Sequence, residues 1–265
     1  MIDIIVSGAM GRMGTKILTE ALLHEDISVV GALGNPRSST IGKELQPGLV
    51  LQSDLANISS ENAILVDFST PAATLHHIAL AKKIGMPVVI GTTGFSEEQE
   101  VAIRDAAKSI PILESHNYGI GMNAFWEILK VATQYLGKDF DIEIIEFHGA
   151  SKPDVPSGTG NTIASIIARE QGDIPEDVIQ YGREQNRSNT RKHHEIGIHS
   201  LRGGSYRSDH TVIFAGNGER LEFTHREEDS SIIARGVMWA TRFLQGKSPG
   251  VYHMADVLDF MRNSQ

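Results

Sequence analysis

Five short apolar runs within the first 115 residues constrain this chain more than any other feature. Residues 2–6, 27–32, 64–68, 88–90 and 110–113 are rich in Val and Ile, and several are separated by amphipathic stretches at 13–24, 72–84 and 96–108. Short strands buried on both sides and joined by helices form a parallel sheet covered on both faces. Residues 33–60 break the rhythm and read as loop with one short element.

After Pro111 the pattern changes. Residues 121–136 read as a long helix, 141–147 as a strand and 160–170 as a further helix, followed by a polar loop over 171–194. Runs at 196–201, 211–215 and 221–225 then follow one another without helices, which predicts antiparallel or mixed pairing. A helix over 231–244, a turn at Ser248-Pro249-Gly250 and a short helix over 255–261 complete the chain. The expected class is α/β, a Rossmann-like parallel-sheet domain over 1–120 plus a smaller mixed-sheet α/β domain over 121–231. Helices within 232–265 are expected to return to the first domain.

Composition removes several function classes. With no Cys among 265 residues, a disulfide framework, a thiolate metal site and a thiol nucleophile are all excluded. A net charge of −9 argues against a nucleic-acid partner. No apolar run approaches the roughly 20 residues of a membrane span, and Met1-Ile2-Asp3 enters the first strand without a basic leader. A cytoplasmic protein is expected.

The first strand runs into Gly8-Ala9-Met10-Gly11-Arg12-Met13-Gly14 and then a helix. Glycines at such a turn let backbone approach a pyrophosphate seated on the helix N-terminus. The spacing is GxxGxxG, and a tight turn with close helix packing selects the same residues. An acidic residue usually closes the second strand of a dinucleotide fold, about 20 residues past the motif. Here that place is Gly34, in Leu33-Gly34-Asn35-Pro36-Arg37-Ser38-Ser39. Arg37 and the serines suit a 2′-phosphate, so NADPH is expected over NADH. Asp67-Phe68-Ser69-Thr70 and Gly91-Thr92-Thr93-Gly94 also follow strands, where such sheets bind ligands.

A second constellation spans Glu146 to Thr162. A strand delivers His148 and Lys152 to a loop that enters a helix through Ser157-Gly158-Thr159. Free N–H groups at a helix start, beside a Lys, suit an anion, and a His can donate a proton near neutral pH. The same fragment reads equally as an N-cap, a solvated Lys and a His at a strand end. His193, His194 and His199 fit no standard zinc spacing and read as loop and strand-edge residues, so no metal is expected.

Together GAMGRMG, DFSTP, VVIGTTGF, EIIEFH, KPDVPSGT and the later RGG…DHTV resemble the 4-hydroxy-tetrahydrodipicolinate reductase family over nearly the whole chain. The resemblance implies NAD(P)H-dependent reduction of a cyclic dicarboxylate imine or enamine in lysine and diaminopimelate biosynthesis, by a homotetramer built through the second domain. It implies His148 as the acid and Lys152 as the catalytic, substrate-binding lysine, with Ser157, Gly158 and Thr159 on a substrate carboxylate. Gly8, Arg12, Met13, Gly91, Thr92 and Thr93 match cofactor-contacting positions, to which the residue reading adds Gly34 and Arg37. The chain departs from the family at Gly149, where a second His is usual, at Gly34-Asn35, at Thr70 and at Asn117-Tyr118-Gly119. These departures keep open a reductase of another cyclic imino acid, alongside a non-catalytic nucleotide-sensing protein.

Overall fold

A computed structural model describes residues 1–58, 62–183 and 190–263. Residues 184–189 of the expected polar loop and 59–60 of the 33–60 segment lie outside the described residues. In chain order the first elements are β1 (Ile2–Ser7), α1 (Arg12–Ala21), β2 (Ile27–Leu33), β3 (Glu44–Gln46), β4 (Leu49–Gln52) and β5 (Ile64–Asp67). Next come α2 (Pro71–Ile84), β6 (Val88–Ile90), α3 (Glu97–Ala106), β7 (Pro111–Glu114), α4 (Ile120–Leu136) and β8 (Asp141–His148). They are followed by α5 (Gly158–Glu170), the single turn α6 (Pro175–Val178), β9 (Ile179–Tyr181), β10 (Ile196–Arg202), β11 (Ser208–Ala215) and β12 (Arg220–Glu227). The chain ends with α7 (Ser231–Leu244), β13 (Gly250–Tyr252) and α8 (Met254–Asn263).

These elements form two compact units, Met1–Asn123 with Ser231–Gln265, and Ala124–Ser230. The first unit holds an eight-stranded sheet in the order β13-β7-β6-β5-β1-β2-β4-β3, parallel except where β3 meets β4. Period-two alternation sends Ile4 and Val6 to a core shared with Ile17 of α1 and Val237 of α7. Ile5 points the other way, to a core shared with Ile78 of α2 and Ile103 of α3. This two-sided burial explains the unbroken apolar runs in the sequence.

Helix α7 lies so close that a Cβ on Gly236 would sit 1.6 Å from the Tyr118 carbonyl oxygen. The Tyr118 ring is buried, and its hydroxyl donates to the Ile90 carbonyl at 2.7 Å. The sheet order puts β2 and β5 on opposite sides of β1. The chain therefore leaves β1 and β5 in opposite directions, and a crevice opens beyond their carboxyl ends.

Two expectations need correction. The 33–60 segment carries β3, β4 and a 3₁₀ turn over Leu55–Asn57, because Leu49 and Leu51 bury their side chains at the sheet edge. The expected turn at Ser248-Pro249-Gly250 ends in β13, which adds Gly250–Tyr252 in parallel to β7.

The second unit holds a five-stranded mixed sheet in the order β12-β11-β8-β10-β9. β8 runs parallel to β10 and antiparallel to β11. Along β8 the alternation is strict, with Ile142, Ile144, Glu146 and His148 buried and Glu143, Ile145 and Phe147 half-buried. α5 packs on β8 and β10. Two polar side chains, Glu146 and His148, thus sit on the buried face.

Candidate functional site

The two units each carry one cluster of predicted residues. In the first, β1 ends at Ser7 and the backbone turns at Gly8 with φ of +74°, a conformation that favours glycine. A Cβ on Gly8 would lie 2.2 Å from the Phe68 carbonyl oxygen, and one on Gly14 2.1 Å from the Gly8 carbonyl oxygen. These glycines therefore let β1, α1 and the β5–α2 turn touch backbone to backbone. The N-cap of α1 is Gly11, with no side-chain cap and no acidic residue in the first turn. The N–H groups of Arg12 and Met13 are the ones such a helix start leaves to a ligand.

Beside this turn lies a cleft of about 660 Å³ lined by Gly8, Met10, Gly11, Gly34, Asn35, Ser38, Thr40, Phe68 and Ser69, with His76 and His77 of α2. Arg12 opens α1 with its side chain exposed and no ion pair to a described residue, while Met13 is half-buried against the core. Arg37 is exposed in the loop whose neighbours Pro36 and Ser38 line the cleft. A Cβ at Gly34 would press to 3.0 Å of Leu51.

Gly91, Thr92 and Thr93 follow β6, two strands from β1. A Cβ on Gly91 would meet the Phe68 ring at 2.1 Å, so that glycine seats an aromatic lid over the turn. Thr93 is exposed, but Thr92 is drawn inward. Its hydroxyl donates to Asp67 Oδ1 at 3.0 Å and accepts from the Ser69 N–H at 2.9 Å.

Asp67 is the organising residue that sequence reasoning passed over. Its fully buried carboxylate also accepts from Ser69 Oγ at 2.6 Å, Thr74 Oγ1 at 2.9 Å and His77 Nδ1 at 2.7 Å. Burial pushes this carboxyl up, but the hydrogen bonds from His77 and Ser69 outweigh it and hold it below its ordinary 3.8. Every partner belongs to the turns after β5 and β6 or to α2, so one carboxylate fixes the strand ends that wall the crevice.

In the second unit the site grows from the buried face of β8. Glu146 accepts from the Ser157 N–H at 3.1 and 2.9 Å, from the Ser157 hydroxyl in a shorter contact, and from Arg202 Nη2 at 2.9 Å. Burial pushes its carboxyl up, while hydrogen bonds from Ser157 and Ser200 bring it below the usual range. Ser157 is also the N-cap of α5, accepting from the Gly160 N–H at 3.0 Å. Gly158, exposed with open space about its Cα, and half-buried Thr159 begin the helix.

His148 is buried, and its Nδ1 donates to the Arg207 carbonyl at 3.0 Å. Its Nε2 is enclosed without a hydrogen-bond partner. The ring meets His210 edge-on at 5.2 Å, and burial pushes His210 down to about 3, so it is neutral at working pH. Lys152 pairs with Asp154 at 2.9 Å. That lysine, with the Gly158 N–H, holds the Asp154 carboxyl below its usual range. Glu146, His148 and His210 bring donor atoms within 4.8 Å of one another. Ser157 and Arg202 already hold the carboxylate, and a guanidinium in that shell repels a cation.

Of the remaining histidines, His199 Nε2 meets Glu143 Oε2 at 2.7 Å on the other face of the sheet. His193 and His194 meet in a tilted arrangement with ring centroids 3.9 Å apart. Gly149 has a packing reason, since a Cβ there would fall 2.9 Å from the Tyr206 carbonyl oxygen.

A Rossmann-type unit with an open glycine turn and a mixed-sheet unit with a cationic helix start define a two-domain, pyridine-nucleotide-dependent oxidoreductase. Residues 2–118 match the family described as Dihydrodipicolinate reductase, N-terminus, and residues 121–258 match Dihydrodipicolinate reductase, C-terminus. The 4-hydroxy-tetrahydrodipicolinate reductase of Nitrosomonas europaea is 41% identical over 263 residues, covering 97% of this chain and 98% of the relative. The enzyme of that name from Methanocorpusculum labreanum is 39% identical over 258 residues, covering 97% and 99%. A solved dipicolinate-bound dihydrodipicolinate reductase from Paenisporosarcina sp. TG-14 shares the fold, with a TM-score of 0.80 at 22% identity over 97% of this chain and 98% of that one. The chain belongs to the dihydrodipicolinate reductase family.

Asp67 makes folding stability depend on acid. The unfolded carboxyl titrates near 3.8 and the folded one lower. Its contribution is therefore complete above that value and lost as pH falls through the folded one. Asp67→Asn is expected to cost about 3 kcal/mol at neutral pH and to flatten the loss of stability below pH 4. Urea melts of both proteins across pH 3–7 check this, and parallel curves would refute it.

Proposed function

We propose that this enzyme reduces 4-hydroxy-tetrahydrodipicolinate to tetrahydrodipicolinate, with NADPH as preferred donor, as a cytoplasmic homotetramer in lysine and diaminopimelate biosynthesis. The observation that carries the reading is the pairing, on one loop and helix start, of Lys152 with the outward N–H groups of α5. That pairing suits a carboxylate, and the buried His148 on the adjoining strand offers a proton. The net reaction takes up one hydride and one proton and releases the 4-hydroxyl as water.

The first unit fits a dinucleotide, since the α1 start beside the cleft is uncapped and carries no acidic residue in its first turn. A bound reduced nicotinamide supplies the hydride. This chain's residues do the rest. Lys152 exchanges the Asp154 carboxylate for one on the substrate, and Gly158 and Thr159 direct N–H groups toward the same anion. The Arg207 carbonyl fixes the proton on His148 Nδ1, so Nε2 is the nitrogen that gains and gives a proton.

Preference for NADPH rests on the loop after β2. It carries no carboxylate over residues 34–39, Arg37 is exposed, and the Ser38 and Thr40 hydroxyls of the same loop line the cleft. The tetramer reading rests on the face of the five-stranded sheet opposite α5. There Ile145, Phe147 and Ile213 are half-buried and Leu201 is 48% exposed, a group of apolar side chains that a partner sheet would cover. Among the described residues no helix is long and apolar enough to cross a membrane.

Lys152→Ala is expected to cut kcat/KM for freshly generated hydroxytetrahydrodipicolinate on the order of 10²-fold; unchanged kinetics would remove the site assignment. Arg37→Ala should raise KM for NADPH on the order of 10-fold, the worth of one charge-assisted hydrogen bond. KM for NADH should stay level, and equal effects on both cofactors would count against a 2′-phosphate contact. In light scattering the protein should run as a tetramer and Leu201→Arg should yield smaller species; a monomeric parent protein would contradict the assembly.

A further inference from the structure

The reading above assigns no task to Glu146, a fully buried carboxylate at the centre of the second unit. Strand register lays Ser200 of β10 and His210 of β11 on either side of it. Its Oε1 meets Arg202, while Oε2 accepts from Ser157 and stands 3.7 Å from His148 Nε2. That nitrogen is the buried, unpartnered atom of the site. Space for Oε2 is kept by Gly160, where a Cβ would lie only 2.6 Å away. The carboxylate therefore touches the start of α5 with one edge and faces the acid with the same oxygen.

Resting on the functional reading above, we propose that Glu146 is a positioning residue with two tasks. It holds Ser157, and with it the start of α5, in place for a substrate carboxylate. It also supplies the negative charge that faces His148 when the ring is protonated. The charged and titratable groups about that ring are Glu146 on its own strand, Arg202 on β10, His210 on β11, Lys152 paired with Asp154 in the loop, and His225 on β12 acting through His210. His210 is neutral and the Lys152–Asp154 pair cancels. Arg202 is engaged at Oε1, so Oε2 is the negative atom left to the imidazolium.

The test compares Glu146→Gln, Glu146→Asp and Ser157→Ala in kcat and KM across pH 5–9, with folding checked by circular dichroism and melting. Glu146→Gln removes the charge and keeps the shape. The alkaline limb of its kcat/KM profile should move down by about one pH unit, the smaller end of what an opposite charge at this range contributes. Ser157→Ala should raise KM for the substrate several-fold and leave the limb in place. Glu146→Asp keeps the charge on a shorter arm, so it should raise KM with the limb near the wild-type position; this arm remains decisive if the Gln variant does not fold. A Gln variant with kcat lowered evenly at all pH values and an unmoved limb would overturn the proposal, as would a limb displaced in the Asp variant. If instead the wild-type protein does not turn over this substrate, or His148→Gln leaves the limb where it was, the reading of the site itself fails.

Discussion

A carboxylate taken out of water is tolerated only where hydrogen bonds replace its hydration, and each unit of this protein is organised about one such group. In the first unit Asp67 closes β5 and gathers Ser69, Thr74, His77 and Thr92. In the second Glu146 lies two residues from the end of β8 and gathers Ser157 and Arg202. In both cases some of the donors come from the turn or helix that follows the strand, joined in the second unit by Arg202 of the neighbouring β10. Satisfying the charge therefore fixes the geometry of a strand end, the place where an α/β sheet presents a ligand site. The demand is stringent because each lost donor leaves a buried charge partly unmet, a larger penalty than the gain from forming one more exposed hydrogen bond.

The same economy explains what was legible in the sequence. The apolar runs announced the parallel sheet because two-sided burial makes successive residues of a central strand apolar, as in Ile4, Ile5 and Val6. Of β3 and β4 the sequence showed at most one short element, because strands of three and four residues contain too few side chains to show an alternation. The glycine turn was legible as a motif, although its spacing alone did not separate backbone packing from ligand approach. The geometry at Gly8 and Gly14 shows packing, and the uncapped start of α1 is what leaves room for an anion. Asp67 and Glu146 were passed over for different reasons. Asp67 reads as an ordinary turn residue, whereas Glu146 carried a usable signal. The series Ile142, Ile144, Glu146, His148 has period two, and once the first two are placed in the core the last two must join them.

Glycines at the family-divergent positions also gain a local cause. At Gly149 the carbonyl of Tyr206 occupies the direction a side chain would take, and Tyr206 itself stacks on Phe147 with ring centroids 4.4 Å apart. At Gly119 the Asn117 side chain stands 3.1 Å from where a Cβ would be, as it accepts from the Gly119 N–H. These positions exchange a side chain for a closer approach of neighbouring chain. A changed ligand is not needed to account for them.

The loop between β8 and α5 shows how such a site can be both stable and receptive. A lysine beside open helix N–H groups concentrates positive charge, and the charge must be met in the absence of substrate. Asp154 meets it, with Lys152 at 2.9 Å and the Gly158 N–H on the same carboxylate. Because Asp154 is largely exposed and Glu146 is not, the two acids divide the work. The buried one is bound to Ser157 at the helix start, and the exposed one is the carboxylate that the proposed substrate would displace. On the proposed function, an incoming dicarboxylate would replace one solvated ion pair with another, so its net gain would come from geometry, the second carboxylate and the ring rather than from charge alone. Such an exchange would discriminate against small monocarboxylates, which offer the lysine nothing that Asp154 does not already provide.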